Sequence, residues 1–280
     1  MIIPEHRLPT FFLSHGGGPW PWIKDQMPGD LTRLEDSLLA LPDEIGTTPE
    51  AILAVSGHWE EADFTVNTSP APPMYFDYHG FPDFTYELSY PAPGSPEVAG
   101  RVGELLGASG ITVRENAERG FDHGVFVPLF VAYPSAEVPV VQLSLRNDLD
   151  PSAHLEVGRA LAPLRDEGVA IVGSGLSYHN MSGFGSPGGA RASKEFDEWL
   201  TETLTEVDSE ERTARLLEWD RAPSARGAHP REDHLIPLLV AAGAAEGDEG
   251  TRTYHQDDFF GTITASSFRF GQTVPAAVAA

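Results

Sequence analysis

The spacing of apolar runs is the feature of this chain that most restricts its fold. Short apolar runs recur along the sequence, and longer amphipathic segments separate them. We interpret the runs as strands at Leu8–Leu13, Ala51–Val55, Ile111–Val113, Val138–Leu145, Val169–Val172 and Thr262–Phe270. Strands that alternate with helices predict an α/β fold, with a largely parallel or mixed central sheet flanked by helices. No internal repeat is visible, so we expect one catalytic domain over residues 1–280.

The segments between the strands have helical patterns. Asp30 is expected to cap a helix, because Leu31, Leu34, Leu38 and Leu41 follow it with helical spacing. Further helices are predicted at Pro96–Leu106, Pro151–Leu164 and Lys194–Glu218, the last with a break near Asp208.

Composition excludes several classes of function. The 42 Asp and Glu residues against 18 Lys and Arg give a net charge of −24, which disfavours binding to nucleic acid or to an anionic membrane. The absence of cysteine excludes disulfides, thiolate nucleophiles and iron–sulfur clusters. Without a signal sequence or a membrane-spanning apolar run, we expect a cytoplasmic protein. The acid-rich, lysine-poor composition fits either salt adaptation or a high-GC genome.

One long segment does not fit the alternation of strands and helices. Trp59–Pro96 combines seven prolines with many aromatic residues, including Tyr75 and Phe81. Long irregular segments inside a domain are usually functional or disordered, and this one is too aromatic for disorder. We expect it to wall a pocket, with Trp59, Tyr75 and Phe81 as lining residues. The alternative is a loop that only covers a sheet edge.

Histidines follow three of the predicted strands. His15 comes after Leu8–Leu13, His58 after Ala51–Val55, and His179 after Val169–Val172. In an open parallel sheet, ligands bind beyond the carboxyl ends of the strands. We therefore expect these three imidazoles to converge there, with neighbouring glycines permitting close backbone approach.

Two further motifs add histidines. His123 begins a predicted helix, and His229 and His234 flank a segment in which Pro230 suits a first helical turn. Five residues correspond to about 140° around a helix, so only one of this pair is expected to face the site. Because imidazole is the commonest ligand of first-row metals, the five motifs predict a mononuclear metal site.

A hydrolase is the rival class. The string His15–Gly18 resembles the oxyanion loop of some esterases, but no serine here has the G-x-S-x-G context of their nucleophile. A serine esterase is thus disfavoured. A metal-dependent hydrolase remains an alternative, because a bound metal can activate water.

Taken in order, the motifs resemble the class III extradiol ring-cleavage dioxygenases, in the branch similar to 4,5-DOPA dioxygenase. The matching strings are Ser14–Pro19, Ser56–Glu60, Asp122–Leu129, Gly173–Asn180 and His229–Leu238. Each string alone is weak, but five in order over most of the chain are specific. The aromatic segment also resembles the corresponding segment of that family.

The resemblance implies a mononuclear site, with Fe(II) in the active enzyme and Zn(II) as another metal that such sites contain. It makes His15 and His58 metal ligands. It makes His229 the third ligand, with Glu232 as the alternative.

The resemblance also assigns two catalytic histidines. It makes His179 the acid–base residue, either clear of the metal or close to it, and His123 a residue that contacts substrate or oxygen. A histidine whose pKa lies near neutrality suits proton exchange with a catechol.

The expected function is extradiol cleavage of a DOPA-like catechol with O₂ to a semialdehyde. The expected partners are that small molecule and O₂, with no nucleic acid and no membrane. A carboxylated catechol would need a local cation, and Arg119 and Arg146 lie near the motifs. The alternative from another class is a non-enzymatic metal-binding protein of the same fold, because relatives in this superfamily have lost activity while retaining histidines.

Overall fold

The strands form one mixed sheet. The structure is a computed structural model, which describes residues 7–275. The order of the strands across the sheet is β4-β3-β5-β2-β6-β1-β8-β7. The strands are β1 Thr10–Ser14, β2 Ala51–Glu61, β3 Phe64–Asn67, β4 Val113–Asn116, β5 Val140–Arg146, β6 Val169–Gly175, β7 Gly250–Phe259 and β8 Ile263–Phe270.

The helices flank this sheet, and several begin where the sequence places a capping residue. They are α1 Thr32–Leu39, α2 Leu41–Ile45, α3 Pro96–Ala108, α4 His123–Ala132, α5 Pro151–Leu161, α6 Pro187–Thr205, α7 Ser209–Leu217, α8 Ala225–Ala228 and α9 Ile236–Ala244. Ser95, Asp150, Ser186 and Asp208 each accept a hydrogen bond from a backbone N–H in the first turn of the following helix. Across residues 7–275, no helix is both long enough and apolar enough to cross a bilayer.

The centre of the sheet is parallel and its margins are mixed. Strands β5, β2, β6 and β1 run parallel to one another, whereas β8 pairs antiparallel with β1 and β7 with β8. At the other margin, β3 is antiparallel to β5 and parallel to β4. The predicted α/β class with a largely parallel or mixed sheet is confirmed. The carboxyl ends of β1, β2 and β6 therefore meet at one edge.

Both faces of the sheet are covered. Side chains along β2 alternate between two apolar clusters: Leu53 and Val55 pack on the face covered by α3, α5, α6 and α9, whereas Ile52 and Ala54 pack on the other face. Helices α1, α2 and α4 cover that second face. Strands buried on both faces are typical of parallel sheets and explain why these runs are continuously apolar.

Four strands differ from expectation. β4 covers Val113–Asn116, so it overlaps the predicted run Ile111–Val113 at one residue only. β2 extends to Glu61, so His58 lies within the strand rather than after it, because Glu60 and Glu61 resume pairing with β5 beyond an irregularity. The sequence patterns missed β3, which lies inside the proline-rich segment, and β7, a largely polar strand at the sheet margin. The predicted break near Asp208 is confirmed, because that residue caps α7.

Candidate metal centre

Three imidazoles meet at the carboxyl end of the central strands. His15 directly follows β1, His58 lies in β2, and His234 lies just before α9. The Nε2 atom of His58 is 3.3 Å from Nε2 of His15 and 3.1 Å from Nε2 of His234. Because β1 and β2 both pair with β6, the sheet itself brings two of these residues together.

The third ring reaches the cluster because a glycine allows it. The backbone N–H of Leu176 donates to the carbonyl oxygen of His234, so the His234 backbone lies directly against the end of β6. A Cβ atom at Gly175 would collide with that carbonyl. The contact therefore requires a residue without a side chain at position 175.

The tautomer of His15 follows from its partner. Its Nδ1 atom lies 3.0 Å from Oγ of Ser174. That hydroxyl donates its hydrogen to the carbonyl oxygen of Gly124, so it accepts from His15. With the proton on Nδ1, the Nε2 atom of His15 carries a lone pair directed into the cluster.

Carboxylates lie beside Nδ1 of the other two rings. Nδ1 of His234 lies 2.9 Å from Oδ2 of Asp233, and Nδ1 of His58 lies 3.2 Å from Oδ2 of Asp77. Because an ionised carboxylate only accepts, His234 carries its proton on Nδ1, whereas the contact of His58 with Asp77 lacks hydrogen-bond geometry and leaves Oδ2 of Asp77 without a hydrogen-bond partner within residues 7–275. A histidine with an outer carboxylate on Nδ1 is a common arrangement around protein-bound metals.

The three rings are neutral in the folded protein. Burial lowers the pKa of His58 to about 3, with the neighbouring His123 as the next cause. Burial also lowers the pKa values of His15 and His234 well below the ordinary value. The Nε2 lone pairs of His15 and His234 both face Nε2 of His58, and a cation between the three neutral rings would be coordinated by all three nitrogens. The residues present therefore fit a three-histidine metal site that leaves coordination positions free.

Two further histidines lie against different members of the trio. The rings of His123 and His58 are 4.0 Å apart, and His123 bonds through Nδ1 to Asp77 Oδ1 at 2.8 Å. The ring of His179 stacks on His234 at 3.4 Å, with its Nδ1 4.0 Å from Asp233 Oδ2. Burial lowers the pKa of His179, while the charge of Asp233 opposes this shift.

Asp77 joins two histidines. Burial raises the pKa of Asp77, but the hydrogen bond and charge of His123 and the proximity of His58 outweigh it, so the pKa lies below its ordinary value. The same carboxylate accepts from the backbone N–H of His123 at 3.0 Å, at the start of α4. Asp77 therefore fixes the orientation of His123, and its other oxygen lies beside Nδ1 of His58.

The structure places His229 elsewhere, which corrects the expectation for the third ligand. His229 packs on the rings of Phe196 and Trp219, and its Nε2 bonds to the carbonyl oxygen of Ser177 at 3.0 Å. The resemblance suggested His229, and the sequence predicted a helix from Pro230, but α8 ends at Ala228 and α9 begins at Ile236. In the described chain, no α-helix spans the segment from His229 to His234, so helical spacing does not relate these two residues. His234 lies in the cluster at the position expected for His229.

The alternative ligand Glu232 is also engaged elsewhere. Its carboxylate pairs with Arg226 at 2.6 Å. It is absent from each group of potential metal ligands found within residues 7–275.

The aromatic segment reaches the site through Tyr78. Its ring lies 5.9 Å from that of His123 and 5.4 Å from that of Phe81. Phe81 also covers Gly18 in the loop after His15. Trp59 is buried and next to His58 in β2, so its side chain points to the other side of the strand. Tyr75, which is 46 % exposed, lies under the guanidinium of Arg119 at 4.0 Å.

Sequence analysis missed the outer contacts of the metal centre. Asp233 and Ser174 bond to Nδ1 of His234 and of His15, and Asp77 lies 3.2 Å from Nδ1 of His58. Two signals were available. Asp77 is an acid within an aromatic run, between Phe76 and Tyr78, and Asp233 directly precedes His234.

Comparisons with known proteins agree with this geometry. Residues 34–271 match the family described as "Catalytic LigB subunit of aromatic ring-opening dioxygenase". A "4,5-DOPA dioxygenase extradiol" of Beta vulgaris is 39 % identical over 269 residues, which cover 94 % of this chain and 97 % of the relative. A protein with the same description from Escherichia coli K12 is 34 % identical over 277 residues, covering 97 % of each chain.

A solved structure has the same fold. The crystal structure of the uncharacterized protein JW3007 from Escherichia coli K12 matches with a TM-score of 0.72 and 30 % sequence identity. The match covers 95 % of this chain and 100 % of that one. The sheet, the cluster of imidazoles and the family match lead to one conclusion: this chain belongs to the LigB family of aromatic ring-opening dioxygenases.

Proposed function

We propose that this protein is an Fe(II)-dependent extradiol dioxygenase that cleaves the ring of a catechol with O₂ to a semialdehyde. The observation that supports this most directly is the convergence of three neutral Nε2 atoms from His15, His58 and His234. In this proposal those three residues hold the metal. Three protein ligands leave positions for a bidentate catechol and for O₂.

The reaction needs no additional reductant. One ring C–C bond next to the diol breaks, and both oxygen atoms of O₂ remain in the product. The catechol ring is oxidised and O₂ is reduced, so atoms and electrons balance between the two substrates. When bound, Fe(II) supplies open coordination positions and a redox-active centre between the catechol and O₂.

In this proposal, side chains of the protein accept and return the catechol proton. His179 presents Nδ1 towards Asp233, which leaves Nε2 as the atom that takes a catechol proton and returns it. Burial holds the pKa of His179 below its ordinary value, so the ring is neutral and ready to accept a proton at pH 7. His123, fixed through Nδ1 by Asp77, presents Nε2 to the substrate or to oxygen.

The aromatic segment provides a surface for a planar ring. Phe81 and Tyr78 meet edge to face, and Tyr78 contacts His123 in the same geometry. This arrangement supports Phe81 as a pocket residue. Trp59 and Tyr75 support the pocket indirectly, because both rings contact Arg119.

The test is anaerobic loading with Fe(II), followed by addition of L-DOPA or a simple catechol and then O₂. We expect oxygen uptake with formation of a yellow semialdehyde, whereas metal-free and Zn(II)-loaded protein should give neither. Absence of product and of oxygen uptake across a catechol panel, with Fe(II) bound at one equivalent, would refute the proposal.

A further inference from the structure

An arginine stands beside the metal centre between two carboxylates. Glu60 comes two residues after His58 in β2, beyond the irregularity in the pairing with β5, and Arg231 links it to the segment that carries His234. Both guanidinium nitrogens Nη1 and Nη2 of Arg231 bond to Glu60, each at 2.5 Å. Nη1 also lies 3.8 Å from Oδ2 of Asp233, the carboxylate that holds His234. We call Glu60, Arg231 and Asp233 the rim cluster.

The rim cluster has a net charge of −1 and is reachable from solvent. The side chain of Arg231 is 52 % exposed, whereas those of Glu60 and Asp233 are 23 % and 16 % exposed. Arg231 already binds Glu60 through two nitrogens, which is the geometry in which an arginine recognises a carboxylate. A second carboxylate would have to displace Glu60 from Arg231.

The other candidate cations are engaged as well. Arg119 donates through Nη2 to the carbonyl oxygen of His58 at 3.1 Å and to Oδ2 of Asp122 at 3.3 Å, while its buried Nε has no hydrogen-bond partner in the part of the chain that the structure describes. Arg146, considered above for a carboxylated substrate, pairs with Asp148 at 2.8 Å and lies over the ring of Phe64. Arg231, Arg119 and Arg146 thus each already pair with a carboxylate of the protein itself.

We propose that the rim cluster makes this site select catechols whose ring substituent is uncharged or cationic over catechols whose substituent is a carboxylate. The inference rests on the proposed function, because it takes a catechol as the ligand. Charges separated by several ångströms near a protein surface discriminate by about tenfold, and salt weakens the effect. L-DOPA, which carries both an ammonium and a carboxylate, should fall between the two classes.

The test compares three catechols with two-carbon arms: dopamine, 4-ethylcatechol and 3-(3,4-dihydroxyphenyl)propionate. Dissociation constants are measured by calorimetry on Zn(II)-loaded protein without O₂, and kcat/KM on Fe(II)-loaded protein. We expect the propionate to bind about tenfold more weakly than 4-ethylcatechol at low salt. The difference should shrink in 1 M KCl, since exposed charges are then screened over about 3 Å.

A charge-removing variant identifies the cause. Glu60→Gln keeps the shape of the side chain and frees Arg231, so propionate binding should improve about threefold to tenfold while dopamine binding does not. The double variant Glu60→Gln, Arg231→Gln should abolish that gain. Glu104→Gln is the matched control, because it removes the same charge from an exposed pair on α3.

The outcomes separate the two proposals. Equal binding of dopamine and the propionate, or equal improvement of both in Glu60→Gln, overturns the selectivity and leaves ring cleavage intact. If none of the three catechols binds the Zn(II) form and none is cleaved by the Fe(II) form, the proposed function fails and the selectivity fails with it.

Discussion

His234 and His229 have different environments, and substitution should separate them. We expect His234→Ala to abolish stoichiometric metal binding, because only two imidazoles would remain at the centre. His229→Ala should retain one equivalent of metal while lowering the free energy of unfolding by about 2–4 kcal/mol, since it empties a packed site beside Phe196 and Trp219. Metal analysis and urea unfolding measure the two effects. A folded His229→Ala protein that binds no metal would contradict this assignment.

His179 is expected to act on the substrate rather than to hold the metal. Its ring stacks on His234, outside the trio of converging Nε2 atoms. His179→Ala should therefore keep one equivalent of metal and lose about 10²- to 10⁴-fold in turnover, the usual range for an acid–base group. Wild-type turnover in this variant would refute the role. His255→Ala is the control, because that ring lies on β7 beside Asp197.

Asp77 should tune the metal centre without being a ligand. Asp77→Asn keeps the size of the side chain, but its amide no longer offers two equivalent acceptors to His58 and His123. We expect metal affinity to fall about 10- to 100-fold, as is typical for loss of an outer partner of a ligand. Competition with a chelator measures this. Unchanged affinity together with unchanged turnover would show that the carboxylate has no such role.

The sequence indicated which histidines lie at the site, but not which residues contact one another there. Glycine and histidine at strand ends indicated His15 and His58 because strand ends are visible in an apolar pattern. The helical spacing expected from Pro230 admitted only one of His229 and His234, and the resemblance favoured His229, whereas in the fold α9 begins only at Ile236. Asp77 could not be paired with His58 and His123 from sequence, because nothing local indicates where a long irregular segment packs.

At the scale of elements, the contact between β6 and the segment before α9 controls the metal centre. Gly175→Ala would push a methyl group into the carbonyl oxygen of His234. We expect lower stability by about 1–3 kcal/mol, the range for overpacking, and weaker metal binding because His234 shifts. Gly107→Ala in α3 is the control, since open space surrounds that position, and stability should rise by up to about 1 kcal/mol. Equal metal affinity in the two variants would argue against this coupling.

The elements that the sequence predicted well are those whose start depends on neighbouring residues. α3 and α5 begin at the predicted prolines, because capping and the first turn depend on neighbouring residues. The extension of β2 to Glu61 depends instead on pairing with β5, about 85 residues away in the chain, which no local pattern shows. The apolar pattern did not predict β7, because one side of this strand is polar and half-exposed.

At the scale of the whole molecule, buried neutral histidines should make metal-free protein sensitive to mild acid. Burial lowers the pKa of His154 to about 4 and that of His229 to about 3. In the unfolded chain a histidine titrates near 6.5, so between about pH 6.5 and 4 the unfolded state binds more protons. The free energy of unfolding is therefore highest above pH 6.5 and falls as the pH drops.

Urea unfolding of metal-free protein at pH 7.5, 6.0 and 5.0 measures this loss. Each buried histidine should contribute up to about 1.4 kcal/mol per pH unit below its unfolded pKa. His154→Gln removes one titrating group and should make the dependence shallower by one such contribution. A free energy of unfolding that stays constant from pH 7.5 to 5.0 would contradict the prediction.

The order of strands across the sheet has a consequence for how the chain is made. β1, which precedes His15, lies between β6 and β8, and both of its neighbours come from the second half of the chain. During synthesis from the N-terminus, β1 stays unpaired until β6 and β8 have been synthesised. Such long-range pairing slows folding and favours aggregation. Because His234 is also synthesised late, the three central histidines can converge only near the end of folding. Metal supplied to the newly made chain should therefore stabilise the finished fold without guiding its early steps.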